Sequence, residues 1–248
     1  MQPILQILKL KIGRIIEHLL PAQCLLCCLP SNNKLICKHC QDSLLQDRPC
    51  CQRCGLPLNK SQPFCGDCLK KEYAFTQLHA LADYQKPYST LLKKFKYTKQ
   101  LINGELLAEL LIQSITHNVS KQQLSQIDYL LPVPLHNKKH QQRGFNQAQL
   151  LAEKISKQLN IPVLVEAIKR QKKTDPQEGL SLSKRKNNLR NAFITTGKQQ
   201  AKLSGSYIVI IDDVVTTGAT VNSLSQVLLN TGVQRVDVWC VCRTVLST

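Results

Sequence analysis

One stretch of the chain joins an apolar run, two acidic residues and a hydroxyl-rich loop, and it restricts the fold more than any other. It reads YIVIIDDVVTTGAT from Tyr207 to Thr220. The apolar residues 208–211 predict a strand covered on both faces, as in a parallel sheet. Residues 216–220 predict the start of a helix, where free backbone N–H groups and the helix dipole favour an anion. The stretch therefore predicts an α/β fold with a phosphate site after a buried strand.

The polar residues of this stretch have separate roles in the predicted site. Asp212 and Asp213 follow the strand, and their carboxylates suit the hydroxyls of a ribose or the water shell of a metal ion. Gly218 lets the backbone approach a ligand closely. An ordinary buried strand followed by a capped helix is the alternative, and two adjacent aspartates alone do not exclude it. The complete string favours a ligand site.

The string resembles the ribose-phosphate motif of type I phosphoribosyltransferases, in which four hydrophobic and two acidic residues precede two hydrophobic residues and a Thr-Gly loop. That family holds 5-phosphoribosyl-1-diphosphate (PRPP) with Mg²⁺ on a flavodoxin-like parallel sheet. The resemblance implies that Asp212 and Asp213 face the ribose hydroxyls. It implies that the 5-phosphate is wrapped by Thr216, Thr217, Gly218, Ala219 and Thr220. The purine-salvage branch has an Asp as general base where this chain has Thr216, so purine salvage is disfavoured.

Ten of the twelve cysteines lie between residues 24 and 68, and eight of them form four C-x2-C pairs. The pairs are Cys24 with Cys27, Cys37 with Cys40, Cys51 with Cys54, and Cys65 with Cys68. Each pair presents two sulfurs to one ion, so the pattern predicts two tetrahedral zinc sites, both structural because four thiolates leave no open position. A disulfide framework is the alternative. We expect a reducing compartment, because no secretory signal precedes the cysteines, and this favours zinc.

Two points about the cysteines stay open in the sequence. Sequential pairing of the four turns and a cross-braced arrangement both satisfy the count, and the short loops between consecutive turns favour the sequential one. Cys28 and Cys50 are left over, and we expect neither to bind metal, although Cys50 can compete with Cys51. Gly55 and Gly66 are expected to supply the backbone freedom that such turns use.

The charge of the chain indicates a polyanionic partner. It carries 33 Lys and Arg against 16 Asp and Glu, a formal net charge of +17. Two zinc-thiolate sites add about −4 and leave it strongly basic. Nucleic acid is favoured over an anionic membrane surface. Aromatic residues are few, so stacking of bases rests on residues such as Tyr97 and Phe145.

Two basic segments follow predicted strands in the second half of the chain. Residues 134–191 contain thirteen Lys and Arg against four Asp and Glu. The first segment, 136–143, and the second, a loop over 170–193, are expected at the edge of the sheet that carries the phosphate loop. The candidates for contact with a diphosphate, and for catalysis, are Arg143, Arg170, Lys172 and Lys173.

The first twenty residues have an apolar stripe at helical spacing, formed by Ile4, Leu8, Ile12, Ile15 and Leu19. Lys9 and Lys11 interrupt it, which disfavours a signal peptide and a membrane span. We expect a packed helix in a cytoplasmic protein, with peripheral membrane contact not favoured. A strand-like pattern begins at Thr76, after the cysteines stop. It predicts a zinc-ribbon domain over 1–75 and a second domain over 76–248.

Together these regions resemble the ComF (ComFC-like) family of bacterial competence and DNA-utilisation proteins. That family joins an amino-terminal double zinc ribbon to a phosphoribosyltransferase-like domain. The matching strings are LPVPLH, RGFNQAQLLA, TDPQEGLSLSKRKNNLRNAF and IDDVVTTGAT. The resemblance implies handling of single-stranded DNA in the cytoplasm during natural transformation, with PRPP as ligand and DNA-uptake proteins as partners.

Two other functions stay open. One is an active phosphoribosyltransferase that uses a nucleobase or nucleic-acid acceptor, and the other is a PRPP-responsive regulator of double-stranded DNA. Phosphoribosyl transfer needs Mg²⁺, cations on the diphosphate and an acceptor pocket. The sequence offers candidates for the first two requirements and none for the third. Release of diphosphate, and a salt-sensitive preference for single strands, distinguish the three functions.

Overall fold

A computed structural model describes residues 22–59, 62–135, 141–170 and 192–245. The chain divides into two compact units, Met1–Asp47 and Arg48–Thr248. The first four predicted metal ligands belong to the first unit, and the other four belong to the second unit together with the sheet. The predicted boundary after residue 75 therefore lies within the second unit. The division into a zinc-ribbon domain over 1–75 and a second domain over 76–248 stays a prediction from the sequence. The predicted helix over residues 4–19 lies outside the described residues.

The described helices and strands are distributed unequally between the two units. The first unit contains α1 (Lys38–Leu44). The second unit contains α2 (Gly66–Lys70), β1 (Leu78–Asp83), α3 (Tyr88–Tyr97), α4 (Leu101–Asn118), α5 (Lys121–Ser125), β2 (Tyr129–Pro132), α6 (Gln147–Leu159), β3 (Ile168–Arg170), β4 (Phe193–Thr195), a 3-10 helix (Gly197–Lys202), β5 (Tyr207–Val215), α7 (Ala219–Asn230) and β6 (Arg235–Arg243). Within the described ranges, no helix has the length and apolar character that a membrane span requires.

The main sheet has four strands in the order β1-β6-β5-β2, and all neighbouring pairs are parallel. The predicted α/β fold with a parallel sheet is confirmed. Strand β5 has a hydrogen-bonded neighbour on each side, and its residues 208–211 are completely buried. The strand continues through both aspartates to Val215, beyond the apolar run. Strands β3 and β4 form a separate antiparallel pair.

Helices cover the sheet from two sides. Helix α7 packs against β4, β5 and β6, and its Leu224 and Leu228 share a buried cluster with Ile208 and Ile210 of β5. Successive residues of a strand point to opposite faces. The other face of the sheet is therefore covered by α4, which contacts β1 and β6, and by α6, which contacts β2 and β5. All four parallel strands end at the edge where residues 212–220 lie.

A glycine allows α3 to pack closely on α4. Phe95 of α3 is fully buried, and a Cβ atom added to Gly104 would lie 2.5 Å from its Cε2 atom. We expect Gly104→Ala to lower the free energy of unfolding by about 1–3 kcal/mol, because overpacking outweighs the better helix propensity of alanine. The urea concentration at the midpoint of unfolding, followed by the circular dichroism of the helices, measures this change.

Gly197→Ala is the matched control for that substitution. A Cβ atom at this position meets no heavy atom within 4 Å. The control is expected to keep the wild-type midpoint. A Gly104→Ala midpoint equal to that of the control would show that the contact between α3 and α4 is looser than described.

Candidate functional site

The eight predicted ligand cysteines form two groups of four. The groups are Cys24, Cys27, Cys37 and Cys40, and Cys51, Cys54, Cys65 and Cys68, and within each group all sulfurs lie within 4.8 Å of one another. The Sγ atoms of Cys27 and Cys37 are 3.6 Å apart, as are those of Cys54 and Cys65. Thiolates at about 2.3 Å from one tetrahedral zinc ion lie about 3.8 Å from each other. Both groups fit zinc, and the sequential pairing is confirmed.

The same backbone turn builds the first half of each group. Cys28 has a φ of +61°, and its N–H donates to the carbonyl of Cys24 at 2.9 Å. In the second group Gly55 has a φ of +69°, and its N–H donates to the carbonyl of Cys51 at 2.8 Å. Cys28 thus takes the turn position that Gly55 takes in the second group. Cys28 and Cys50 belong to neither group of four.

The second half of each group precedes a short helix. Cys37 is the residue before α1, and Cys65 is the residue before α2. Gly66 is the first residue of α2 and has no left-handed φ, in contrast to Gly55. The expectation that Gly66 supplies special backbone freedom is therefore wrong, since a helical conformation is open to any residue there.

Backbone donors favour the thiolate form of one sulfur in each group. Burial raises the pKa of the Cys51 thiol, but the N–H groups of Cys54, Cys65 and Arg53 lower it to about 7. The Cys65 N–H lies 3.3 Å from that sulfur. In the first group burial also raises the pKa of Cys24, and nearby backbone N–H groups lower it to about 6. A thiolate is the form that binds metal.

Hydrogen bonds connect the second cysteine group to the edge of the sheet at which the parallel strands end. Arg243 at the end of β6 is buried, and its Nε donates to the carbonyl of Cys54 at 2.9 Å. Its Nη1 donates to the carbonyl of Val215 at 3.2 Å. The Ala74 N–H donates to Oδ1 of Asn222, in the first turn of α7, at 2.7 Å. Arg243 therefore connects the second zinc group to the residue before the predicted phosphate loop, and the segment after that group is hydrogen-bonded to α7 just beyond the loop.

A cleft of about 500 Å³ opens at the same edge of the sheet. Its lining comes from β5 and the loop that follows, from α3, from the ends of β1, β3 and β6, and from the segment after β2 together with the first turn of α6. Polar and charged members of the lining are Tyr84, Lys96, Arg143, Asn146, Gln147, Arg170, Asp212, Asp213, Thr216, Thr220 and Thr244. The structure thus brings both aspartates and two predicted basic candidates together. Lys172, Lys173 and residues 136–140 lie outside the described residues.

The two aspartates have different surroundings. The Asp213 carboxylate forms an ion pair with Lys96, with 2.8 Å between Oδ2 and Nζ. Oδ1 of Asp212 accepts the backbone N–H of Asp213 at 2.8 Å. Burial and the charge of Asp213 raise the pKa of Asp212 to about 7, although Lys96 and Arg170 oppose this. A further cation beside Asp212 would favour its ionised form, and carboxylate oxygens suit Mg²⁺.

The loop after β5 has the local geometry of a helix start. Gly218 is buried and has a φ of +78°, and α7 begins at the next residue, as predicted. The Thr217 hydroxyl accepts the Ala219 N–H at 3.3 Å, whereas Thr216 and Thr220 line the cleft. Contact of the loop with a 5-phosphate stays a prediction.

Sequence reasoning missed Lys96, which the structure places beside Asp213. Its helical spacing was the available signal, because Lys96 lies four residues after the fully buried Leu92. Lys93 and Lys94 of the same helix are exposed. Helical spacing therefore separates the lysine of the cleft from the lysines of the surface.

The structure also assigns positions to Asn146 and Gln147, which sequence reasoning did not single out. Asn146 caps α6 by accepting the Ala148 N–H at 3.1 Å, and its Nδ2 donates to the carbonyl of Val133 at 3.0 Å. Gln147 is buried, and its Oε1 accepts a hydrogen bond from Nη1 of Arg143 at 3.0 Å. This places Arg143 at the cleft.

Comparison with known proteins gives two family matches. A double zinc ribbon domain matches residues 15–69, and a phosphoribosyl transferase domain matches residues 146–245. DNA utilization protein YhgH of Escherichia coli K12 is 37% identical over 226 residues, which cover 90% of this chain and 98% of that protein. Competence protein F of Haemophilus influenzae is 35% identical over 208 residues, 84% of this chain and 90% of that one. Competence protein ComFC of Bacillus subtilis is 26% identical over 206 residues, 79% of each chain.

Proposed function

Since the chain belongs to the family of competence protein F and DNA utilization protein YhgH, we propose that it handles single-stranded DNA and binds PRPP with Mg²⁺. It acts in the cytoplasm during natural transformation, together with proteins of the DNA-uptake machinery. The two zinc groups are structural in this account. The phosphoribosyl transferase domain supplies the PRPP site.

One observation carries the PRPP proposal: a single cleft holds two adjacent carboxylates and three cationic side chains. The cations are Lys96, Arg143 and Arg170. A simple anion would be repelled by Asp212 and Asp213, and a metal ion alone would be repelled by the cations. PRPP bound to Mg²⁺ presents a cation, a diphosphate and ribose hydroxyls together. This ligand offers a partner of suitable charge to each group.

Active phosphoribosyl transfer is the second candidate function. Its support is an apolar part of the cleft wall, formed by Val133, Pro134 and Leu135 with Tyr84 nearby. Such a wall suits the flat face of a base. Diphosphate released from PRPP only when a nucleobase or single-stranded DNA is added would favour this function. Tight PRPP binding without release would favour binding alone.

The charge of residues 134–191 supports the DNA proposal. We expect affinity for an oligo(dT) strand to fall steeply with salt, to depend little on sequence, and to weaken when PRPP competes for shared cations. Fluorescence anisotropy across a salt series measures this. A preference for double strands would favour the regulator instead.

Charge reversal of the second basic segment tests its part in binding. Replacement of Lys172, Lys173, Lys184 and Lys186 by Glu is expected to make the slope of log K against log[salt] shallower by about 3 or more, since each phosphate contact contributes about 0.7. These lysines lie outside the described residues. An unchanged affinity and slope would show that the DNA path runs elsewhere.

A further inference from the structure

We propose that Tyr97, Arg143 and three neighbouring lysines form a stacking surface for single-stranded nucleic acid at the mouth of the cleft. The lysines are Lys93, Lys94 and Lys99. The proposal rests on the proposed function, because it assigns a path to the strand beside the PRPP site. The occupant of this surface is single-stranded nucleic acid.

The exposed aromatic ring is the first observation. Tyr97 ends α3 and is 67% exposed, whereas Phe95, two residues before it, is fully buried. Phe145, the other aromatic candidate, packs against Phe95 with 5.4 Å between the ring centroids. Tyr97 therefore offers the face on which a base can stack, and sequence-tolerant stacking of this kind is common in single-strand binding.

The position of the Arg143 guanidinium group is the second observation. The Arg143 guanidinium carbon lies 5.5 Å from the centroid of the Tyr97 ring, within the range of a cation–π contact. Its Nη1 also donates to Oε1 of Gln147, which is 2% exposed. The guanidinium thus lies between the exposed ring and the cleft. A strand stacked on Tyr97 would have a phosphate-binding group on the side that faces PRPP.

The charge around the ring is the third observation. Residues 85–104 contain five lysines and no aspartate or glutamate. Lys96 is directed to Asp213 of the cleft, whereas Lys93, Lys94 and Lys99 are exposed. A run of exposed lysines with no carboxylate between them is complementary to a phosphate backbone. A protein partner would need a matching acidic surface and would have no particular use for the stacked ring.

The backbone of Lys99 is the fourth observation. Its φ is +53°, a conformation that glycine adopts more easily than lysine. Its Nζ lies 3.8 Å from the position of a Cβ atom added to Gly144, next to Arg143. The chain thus has a lysine at a turn position that favours glycine, and the ammonium group reaches the Arg143 turn. The left-handed residue therefore adds a positive charge to this surface, which a glycine at the same position would not do.

The ring is tested by comparing Tyr97→Ala with Tyr97→Phe. Anisotropy of labelled oligo(dT) is expected to show about tenfold weaker binding for Tyr97→Ala, because one base loses its stacking partner. Tyr97→Phe keeps the ring face and should bind within about twofold of the wild type. Calorimetric titration with PRPP and Mg²⁺ should give wild-type affinity for both variants.

The charges are tested by salt slopes. Lys93→Gln with Lys94→Gln should make the slope of log K against log[salt] for oligo(dT) binding shallower by about 1.4. Lys99→Gly should make it shallower by about 0.7. Lys99→Gly should also keep or raise the thermal midpoint, because glycine relieves the left-handed strain. A lysine with only a structural role would change the midpoint and leave the slope unaltered.

Lys121→Gln with Lys157→Gln is the matched control. Both lysines are exposed, and Lys157 lies ten residues along α6 from Gln147, about 15 Å from the cleft end of that helix. The control should keep the wild-type slope. If the wild type binds oligo(dT) and the Tyr97 and lysine variants bind as the control does, the stacking surface is wrong and the proposed function stands. If the wild type itself does not bind oligo(dT), both are wrong.

Discussion

Replacement of both aspartates at the end of β5 by alanine is expected to abolish Mg²⁺-dependent binding of PRPP. Hydrogen bonds to charged groups contribute about 1.5–3 kcal/mol each, so loss of two predicts a decrease in affinity of roughly 100-fold or more. The fold should survive. Burial and the Asp213 charge raise the pKa of Asp212 to about 7, which shows that the ionised carboxylate is unfavourable in the free protein. Calorimetry of PRPP binding and thermal unfolding measure the two effects.

Asp42→Ala with Asp67→Ala is the control for the loss of two negative charges. Both carboxylates are exposed and neither lines the cleft. This variant is expected to bind PRPP as the wild type does. Unchanged PRPP affinity in the Asp212→Ala, Asp213→Ala protein would place the site elsewhere in the chain.

Loss of zinc is expected to have the second large effect. Freshly purified protein should contain two zinc ions per chain by elemental analysis. Cys37→Ser with Cys40→Ser should release one ion and unfold the first ribbon, because structural zinc sites contribute about 10–16 kcal/mol to folding of small modules. The corresponding change at Cys51 and Cys54 should release the other ion.

The two zinc groups should differ in their effect on PRPP. The carbonyl of Cys54 is bonded to Arg243, which also holds the carbonyl of Val215 before the phosphate loop. Loss of the second zinc is therefore expected to weaken PRPP binding as well as lower the thermal midpoint of the sheet. Cys28→Ser and Cys50→Ser are the controls and should retain both ions. Less than one zinc ion per chain in fresh wild-type protein would contradict the assignment of both groups.

Local patterns in the sequence predicted much of the secondary structure. The start of a helix at the threonine loop was predicted, and α7 begins at Ala219, because the signals for a helix start are local properties of the chain. The predicted strand over 208–211 was too short. Pairing with β6 extends β5 through the aspartates to Val215, opposite Arg243. Such pairing depends on a distant segment, and the apolar run does not encode it.

The order of the strands could not be predicted for the same reason. β1 lies next to β6, although more than 150 residues separate them in the chain. β2 lies at the other edge of the sheet, beside β5. These neighbours are chosen by the packing of helices on the two faces, which single-sequence periodicity does not describe.

Part of the candidate site could be predicted from contiguous residues, and part of it depends on contacts between distant segments. Asp212, Asp213 and the threonine loop are contiguous, so their chemistry was evident in the sequence. Lys96 and Gln147 come from two distant helices, and only the parallel sheet brings those helices to the same edge. The bond from Arg243 to the second zinc group was equally hidden, because the cysteine spacing shows the ligands and not the surface on which they pack.

The most direct test is a calorimetric titration of PRPP into the zinc-loaded wild-type protein. The titration is done once with Mg²⁺ and once in Mg²⁺-free buffer that leaves both zinc ions bound. The account predicts one saturable PRPP site per chain with Mg²⁺, strong loss of affinity without it, and competition by oligo(dT). Absence of saturable binding in protein that retains two zinc ions and a cooperative thermal transition would contradict it.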